Sequence, residues 1–206
     1  MDQIEYMALS TRVNTKVPAF PVEIAVRQIC AQHRTLARVF RVLKAHAEEI
    51  AGGKCSPDFI LISAILRYIA MFSYRVHHFA EEKFLFSAMR ESGAPGHVID
   101  GAMGAHSSGA KKFAALQDAF NTWWDKPDTR NPSFLELVPD FVSFEFDDIS
   151  YEESVVLPCA VDMLPANDWT PIADAFRSHE DPLSGIQPGS ALAPLQYLLS
   201  AQTVSH

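Results

Sequence analysis

Four short stretches of this chain carry side chains able to hold a metal ion. His77 and Glu81 are four residues apart, as are Asp148 and Glu152, while His33 and His106 stand singly. A spacing of four places both members of a pair on one helix face, one turn apart, so that both reach one centre. At helical spacing the neighbours of these residues are apolar. The stripes run Val26, Ile29, Cys30, His33, Ala37, Phe40; then Leu66, Ala70, Tyr74, His77, Glu81, Phe84, Leu85, Ala88; then Ile99, Met103, His106, Ala110, Phe113, Leu116; then Phe141, Phe144, Asp148, Glu152, Val155, Val156, Cys159. Each turns polar only near its middle. Several ionisable groups at one level of a core are costly unless something compensates them, and a cation is the simplest compensation. Nitrogen and carboxylate donors without thiolate at matching spacing point away from structural zinc and towards iron or manganese.

The pattern occurs twice. His33 and His106 are 73 residues apart, and Glu81 and Glu152 are 71 apart. With Glu81 set on Glu152, His77 meets Asp148, and Glu82 meets Glu153. With His33 set on His106, Phe40 meets Phe113 and Leu43 meets Leu116. Each half thus offers one histidine from its first helix and a pair ending in glutamate from its second. Two such sets face to face are what a two-metal site needs, with Glu81 and Glu152 placed to bridge and the histidines terminal.

The elements that must position them are long helices. Pro21 opens a first helix to about Ile50, closed by Gly52-Gly53. Ser56-Pro57 reads as a cap followed by proline, opening a second that ends before Gly93. After Ala94-Pro95-Gly96 a third runs to about Trp124, and Asn131-Pro132 opens a fourth to about Met163. Thr170-Pro171 opens a shorter fifth to about Ser178, and the apolar segment Leu192 to Leu199 packs outside. Strand signals are nearly absent. Short connections between long helices favour antiparallel neighbours, so the expected fold is all-α, an up-down-up-down four-helix bundle. Residues 1–20 read as an arm, 21–163 as the bundle and 164–206 as a helical extension packed on it.

Composition excludes other classes. The formal charge is −8 over 206 residues, and no basic run interleaves with aromatics, so nucleic acid is not an expected partner. The apolar stretch Phe59 to Tyr74 is interrupted by Ser63, Arg67, Tyr68 and Ser73, which argues against a membrane span. Cys30, Cys55 and Cys159 are scattered and odd in number, so no disulfide framework is expected. Met1 to Lys16 has no apolar secretory core, and the cytoplasm is the expected compartment.

The quoted text resembles the hemerythrin-like HHE family. The matching stretches are Gln32-His33-Arg34, His77-His78-Phe79-Ala80-Glu81-Glu82, Ala105-His106-Ser107 and Asp148-Ile149-Ser150-Tyr151-Glu152-Glu153, running on to Leu157-Pro158. Their spacings are similar to those of the family's di-iron proteins linked to iron–sulfur cluster repair. The resemblance implies a non-haem iron site held by His33, His77, Glu81, His106, Asp148 and Glu152. It departs from the family at Asp148, where a histidine is usual. Either the aspartate ligates and two ions bind, or it does not and one ion binds; manganese or zinc are the substitutes. The expected ligand is a small diatomic molecule or peroxide, for sensing, handling or iron delivery. The alternative is a metal-stabilised, non-enzymatic module that binds a partner through Leu192, Leu195, Leu198 and Leu199; a homodimer is a separate expectation. His78, about 100° round the helix from His77, is expected at the surface or behind the ligands, as are Glu82 and Glu153. Tyr74 and Tyr151 are expected as core tyrosines, Cys30 and Cys159 as small buried hydrophobes, and Trp123 and Trp124 as packing residues.

Overall fold

The computed structural model describes residues 20–127, 131–178, 181–183 and 190–203, and these are helical with no strand among them. Residues 1–19 of the expected arm lie outside the described residues, and Phe20 already belongs to the first helix. Helix α1 is Phe20–Ala51, and Gly53, at φ 69°, reverses the chain after it. Helix α2 covers Phe59–Glu91. Its cap is not Ser56: the Asp58 carboxylate accepts the N–H of Leu61 at 2.9 Å, and Pro57 precedes the cap. Helix α3 is Gly96–Trp124. Helix α4 is Pro132–Tyr151, capped by the Asn131 side chain at 3.2 Å from the Phe134 nitrogen and carried on unbroken to residue 163. Pro139 sits within α4 with its ring exposed, and the helix persists through it because Val138, Phe141 and Val142 are buried on the opposite face. Helix α5 is Trp169–Ser178 and α6 is Ala193–Thr203.

Two of these helices are not regular. In α2, π turns occupy Ile69–His77 and Glu81–Phe86, separated by the α turn His78–Ala80. In α4 a π turn occupies Glu152–Val156. A π turn closes i to i+5, so it holds one more residue per turn and rotates less at each step; such turns gather at functional sites. All three lie on the helices that carry the paired donors.

The core is split in two. One apolar cluster includes Phe40, Phe72, Phe113, Trp123, Phe134 and Phe141. The other includes Ile29, Met89, Ile99, Val156 and Trp169. Between them lies the polar layer, with His33 set between Ile29 below and Phe40 above on α1. Helix α5 packs on α1 and α2 through Ile172, Ala173 and Phe176 and completes the second cluster. Leu195 and Leu199 of α6 are buried in the first cluster, so two of the four leucines expected to meet a partner are committed within the chain. Helix α2 is long and apolar enough to cross a bilayer by length and composition, but half of its most apolar window is buried in the bundle, as in a core helix. Of the expected inward residues, Ala110 is exposed and Gly109 is buried instead, Val155 is exposed within the π turn, and Trp124 is half exposed while Trp123 is buried.

Candidate metal centre

Each of the six expected donors is buried. His33, His77, Glu81 and Glu152 form one set, whose donor atoms all lie within 4.8 Å of one another. His33 Nε2 is 3.5 Å from Glu81 Oε1 and 3.3 Å from Glu152 Oε2, and His77 Nε2 is 3.3 Å from Glu81 Oε1. The far ring nitrogens are held from outside: His33 Nδ1 by Glu153 at 3.1 Å, and His77 Nδ1 by the Gln32 side-chain oxygen at 2.9 Å. Those acceptors take an Nδ1 proton, so in the neutral ring the Nε2 lone pair faces the carboxylates. This is how proteins aim imidazoles at a metal.

A second set consists of His78, His106 and Asp148, again within 4.8 Å. His106 Nε2 is 3.0 Å from Glu152 Oε1 and 3.5 Å from Glu81 Oε2, while its Nδ1 is 2.8 Å from Glu82. Glu81 and Glu152 therefore touch histidines of both sets, one oxygen towards each. The repeat in the sequence is realised crosswise: Glu153 of α4 orients His33 of α1, and Glu82 of α2 orients His106 of α3.

The layer is short of partners in the way a cation would remedy. His33 Nε2, His78 Nδ1, Glu81 Oε2 and Asp148 Oδ1 are buried without a well-oriented hydrogen bond. Leaving such groups unsatisfied costs about 1–3 kcal/mol each, more when charged. Protonation is pulled in opposite directions within a few ångströms. Burial opposes charging His33, but Glu152, Glu153 and Glu81 outweigh it and hold this ring well above the ordinary histidine range. His106 is likewise raised, to about 11, because Glu152 and Glu82 overcome burial. Burial, reinforced by neighbouring histidines, pushes His77 well below its ordinary value and His78 down to about 3. Burial and the Glu152 charge raise Glu81 and Asp148, whereas His106 and His33 hold Glu152 low against burial. Imidazole and carboxylate donors in this arrangement fit a first-row metal of the iron or manganese type.

The model of the Hemerythrin HHE cation binding domain family matches residues 25–160, which is well over half the chain and contains every donor named above. The chain belongs to the hemerythrin HHE family. It is thus a metal-binding helical protein of a kind associated with iron. No curated protein and no solved structure gives a match.

Within this hemerythrin HHE domain, three features escaped the sequence reading. His78, expected either at the surface or behind the ligands, is buried within the donor layer itself, with its ring stacked on His106 at 4.0 Å and 6°. The adjoining π turns explain this, because a smaller rotation per residue keeps His77 and His78 both on the inner face. Glu145 is also buried and accepts the Tyr74 hydroxyl at 2.7 Å. Burial raises its pKa to about 7. The signals were present: Glu145 lies three residues before Asp148 and matches Tyr74 in the 71-residue repeat. Third, α5 reaches the centre. Gln32, which holds His77, donates its amide to the Phe176 carbonyl at 3.3 Å, and the Phe176 ring meets His77 edge-on at 6.0 Å.

Tyr151 donates to the Val98 carbonyl at 3.3 Å, a satisfied core tyrosine as expected. Cys30 is buried, and burial with the Glu153 charge raises its thiol to about 11, so it acts as a small apolar residue. A third group, His46, Glu49 and Cys55, lies near the end of α1. There His46 Nε2 accepts the Asp58 N–H at 3.1 Å, which leaves the neutral ring's proton on Nδ1 facing Cys55. With no lone pair on that side, the group is a poor metal site.

Proposed function

We propose that this chain is a non-haem di-iron protein that binds a small diatomic ligand or peroxide, built as an up-down-up-down bundle. The observation that carries the reading is the pair of buried donor sets joined by Glu81 and Glu152. His33 and His77 are the terminal donors of one position; His106 and Asp148 serve the other. Two adjacent irons supply redox chemistry and an attachment point for such a ligand. The protein's own part is orientation and exclusion of water: Glu153, Gln32 and Glu82 fix the rings, and the two apolar clusters close the layer from both ends. Asp148 in place of an imidazole adds negative charge, which favours the ferric state and disfavours reversible oxygen carriage. The test is anaerobic addition of azide or nitric oxide to iron-loaded protein. A saturable change in its absorption spectrum supports the reading, and an inert, coordinatively closed centre contradicts it.

A second reading, a metal-responsive module that reports to a partner, is favoured by one observation. The hydrogen-bonded path His77–Gln32–Phe176 ties the centre to α5, outside the four bundle helices. It is supported if metal loading changes hydrogen exchange in α5 while azide and nitric oxide leave the centre unaltered.

A further inference from the structure

The second donor set is one imidazole short by the usual pattern of the family, because residue 148 is aspartate. We propose that His78 supplies the missing nitrogen, so that His78, His106 and Asp148 together hold the second ion. The inference rests on the di-iron reading and extends it to a residue outside the six donors. Three observations carry it. His78 is buried, and its donor atom falls within 4.8 Å of those of His106 and Asp148. Its Nδ1 is buried with no hydrogen-bond partner, which in a packed core costs free energy unless something else binds there. Its place in the chain is also unusual: it begins the α turn between two π turns, the local geometry that brings two consecutive histidines inward.

The geometry sets one requirement. The His78 and His106 rings lie parallel, 4.0 Å apart. Two parallel planes cannot both contain one ion, and an imidazole donates in its own plane. His78 must therefore turn out of the stack to ligate. No hydrogen bond at Nδ1 opposes that turn. His106 is more firmly set, since Glu82 holds its Nδ1 at 2.8 Å. His78 is thus the mobile donor of the pair, and it adds a neutral nitrogen opposite the extra charge of Asp148. With His78 bound, the second position has one fewer coordination site open to an outside ligand than it would have with His106 and Asp148 alone.

The experiment is iron content per chain after anaerobic ferrous loading and desalting, in the wild type, His78→Phe and His78→Ala. Phenylalanine keeps a ring to stack on His106 and fill the space, so circular dichroism and the thermal midpoint should change little. The expected result is two ions in the wild type and one in both variants. Two ions in wild type and in His78→Phe would overturn the role of His78 while leaving the di-iron reading intact. One ion in the wild type would overturn it as well, because the second position would then be unfilled even with His78 present. No ion in the wild type would remove the di-iron reading itself and the inference with it. Azide affinity gives a separate readout: His78→Phe reloaded in excess iron should bind azide more tightly, and unchanged affinity would argue against a displaced nitrogen.

Discussion

The two donor sets are built from matching halves of the chain, yet they are unequal. In the first, both histidines have their far nitrogens pinned, by Glu153 and Gln32, and both carboxylates approach within hydrogen-bonding range. In the second, only His106 is pinned, Asp148 stands at the position equivalent to His77, and His78 is unanchored at Nδ1. Holding ligand rings in place before the ion arrives raises affinity, and removing such an outer partner typically costs about 10–100-fold in metal binding. The first position should therefore fill first and exchange slowly. The second should be the labile one, where an outside ligand competes. The repeat yields two donor sets, but the residues behind the rings decide how alike they are.

Both donor sets should lose metal together when a shared carboxylate is removed. Glu81→Ala and Glu152→Ala should each lower bound iron below one ion per chain, because each residue touches histidines of both sets. Retention of a full ion by either variant, measured by plasma mass spectrometry, would mean that the two sets are independent. A smaller effect is expected at Gln32. Gln32→Leu should weaken the first position about 10–100-fold and leave the second nearly unchanged. Competition with a chromophoric chelator reads this, and equal weakening of both steps would contradict the pairing of Gln32 with His77.

The acid–base balance sharpens the same contrast in chelator-stripped protein. Glu145 has its pKa raised from 4.5 to about 7 by burial, so its neutral form is the one the fold favours. Its contribution is complete below pH 4.5 and is lost as pH rises through about 7. Glu145→Gln keeps an acceptor for Tyr74 and cannot ionise. Its thermal midpoint should fall less than that of the wild type across this window, and parallel pH curves would show that the fold does not raise the Glu145 pKa.

The smallest effects concern two glycines of α3. A Cβ on Gly109 would lie 2.9 Å from Glu145 Oε1 and 3.2 Å from the Tyr74 hydroxyl, so Gly109→Ala should cost about 1–3 kcal/mol by displacing that pair. Gly104 has open space around it. Gly104→Ala should therefore stabilise the helix by up to about 1 kcal/mol. If both substitutions stabilise in denaturant titrations, the close packing around Tyr74 and Glu145 is misread.

What the sequence made legible follows from how local each signal is. The donor pairs four apart and the repeat near 72 residues are periodicities, so His33, His77, Glu81, His106, Asp148 and Glu152 could be assembled into one layer before any fold was seen. The ends of α1, α3 and α4 were marked by Gly52-Gly53, Gly96 and Asn131-Pro132 for the same reason. The start of α2 was misread because Ser56-Pro57 and Asp58 both carry capping chemistry, and only the Asp58 bond to Leu61 separates them. His78 was left between the surface and a place behind the ligands because a fixed 100° step per residue fails across a π turn. The link from His77 to α5 was out of reach, since a backbone carbonyl such as that of Phe176 has no sequence signature.

Two unequal metal positions that share Glu81 and Glu152 should fill one after the other. A stepwise anaerobic ferrous titration, followed by calorimetry on the wild type, His33→Ala and His106→Ala, tests this most directly. Two resolved steps are expected in the wild type, with the tighter lost in His33→Ala and the weaker lost in His106→Ala. A single one-ion step in the wild type, or loss of the same step in both variants, would contradict this.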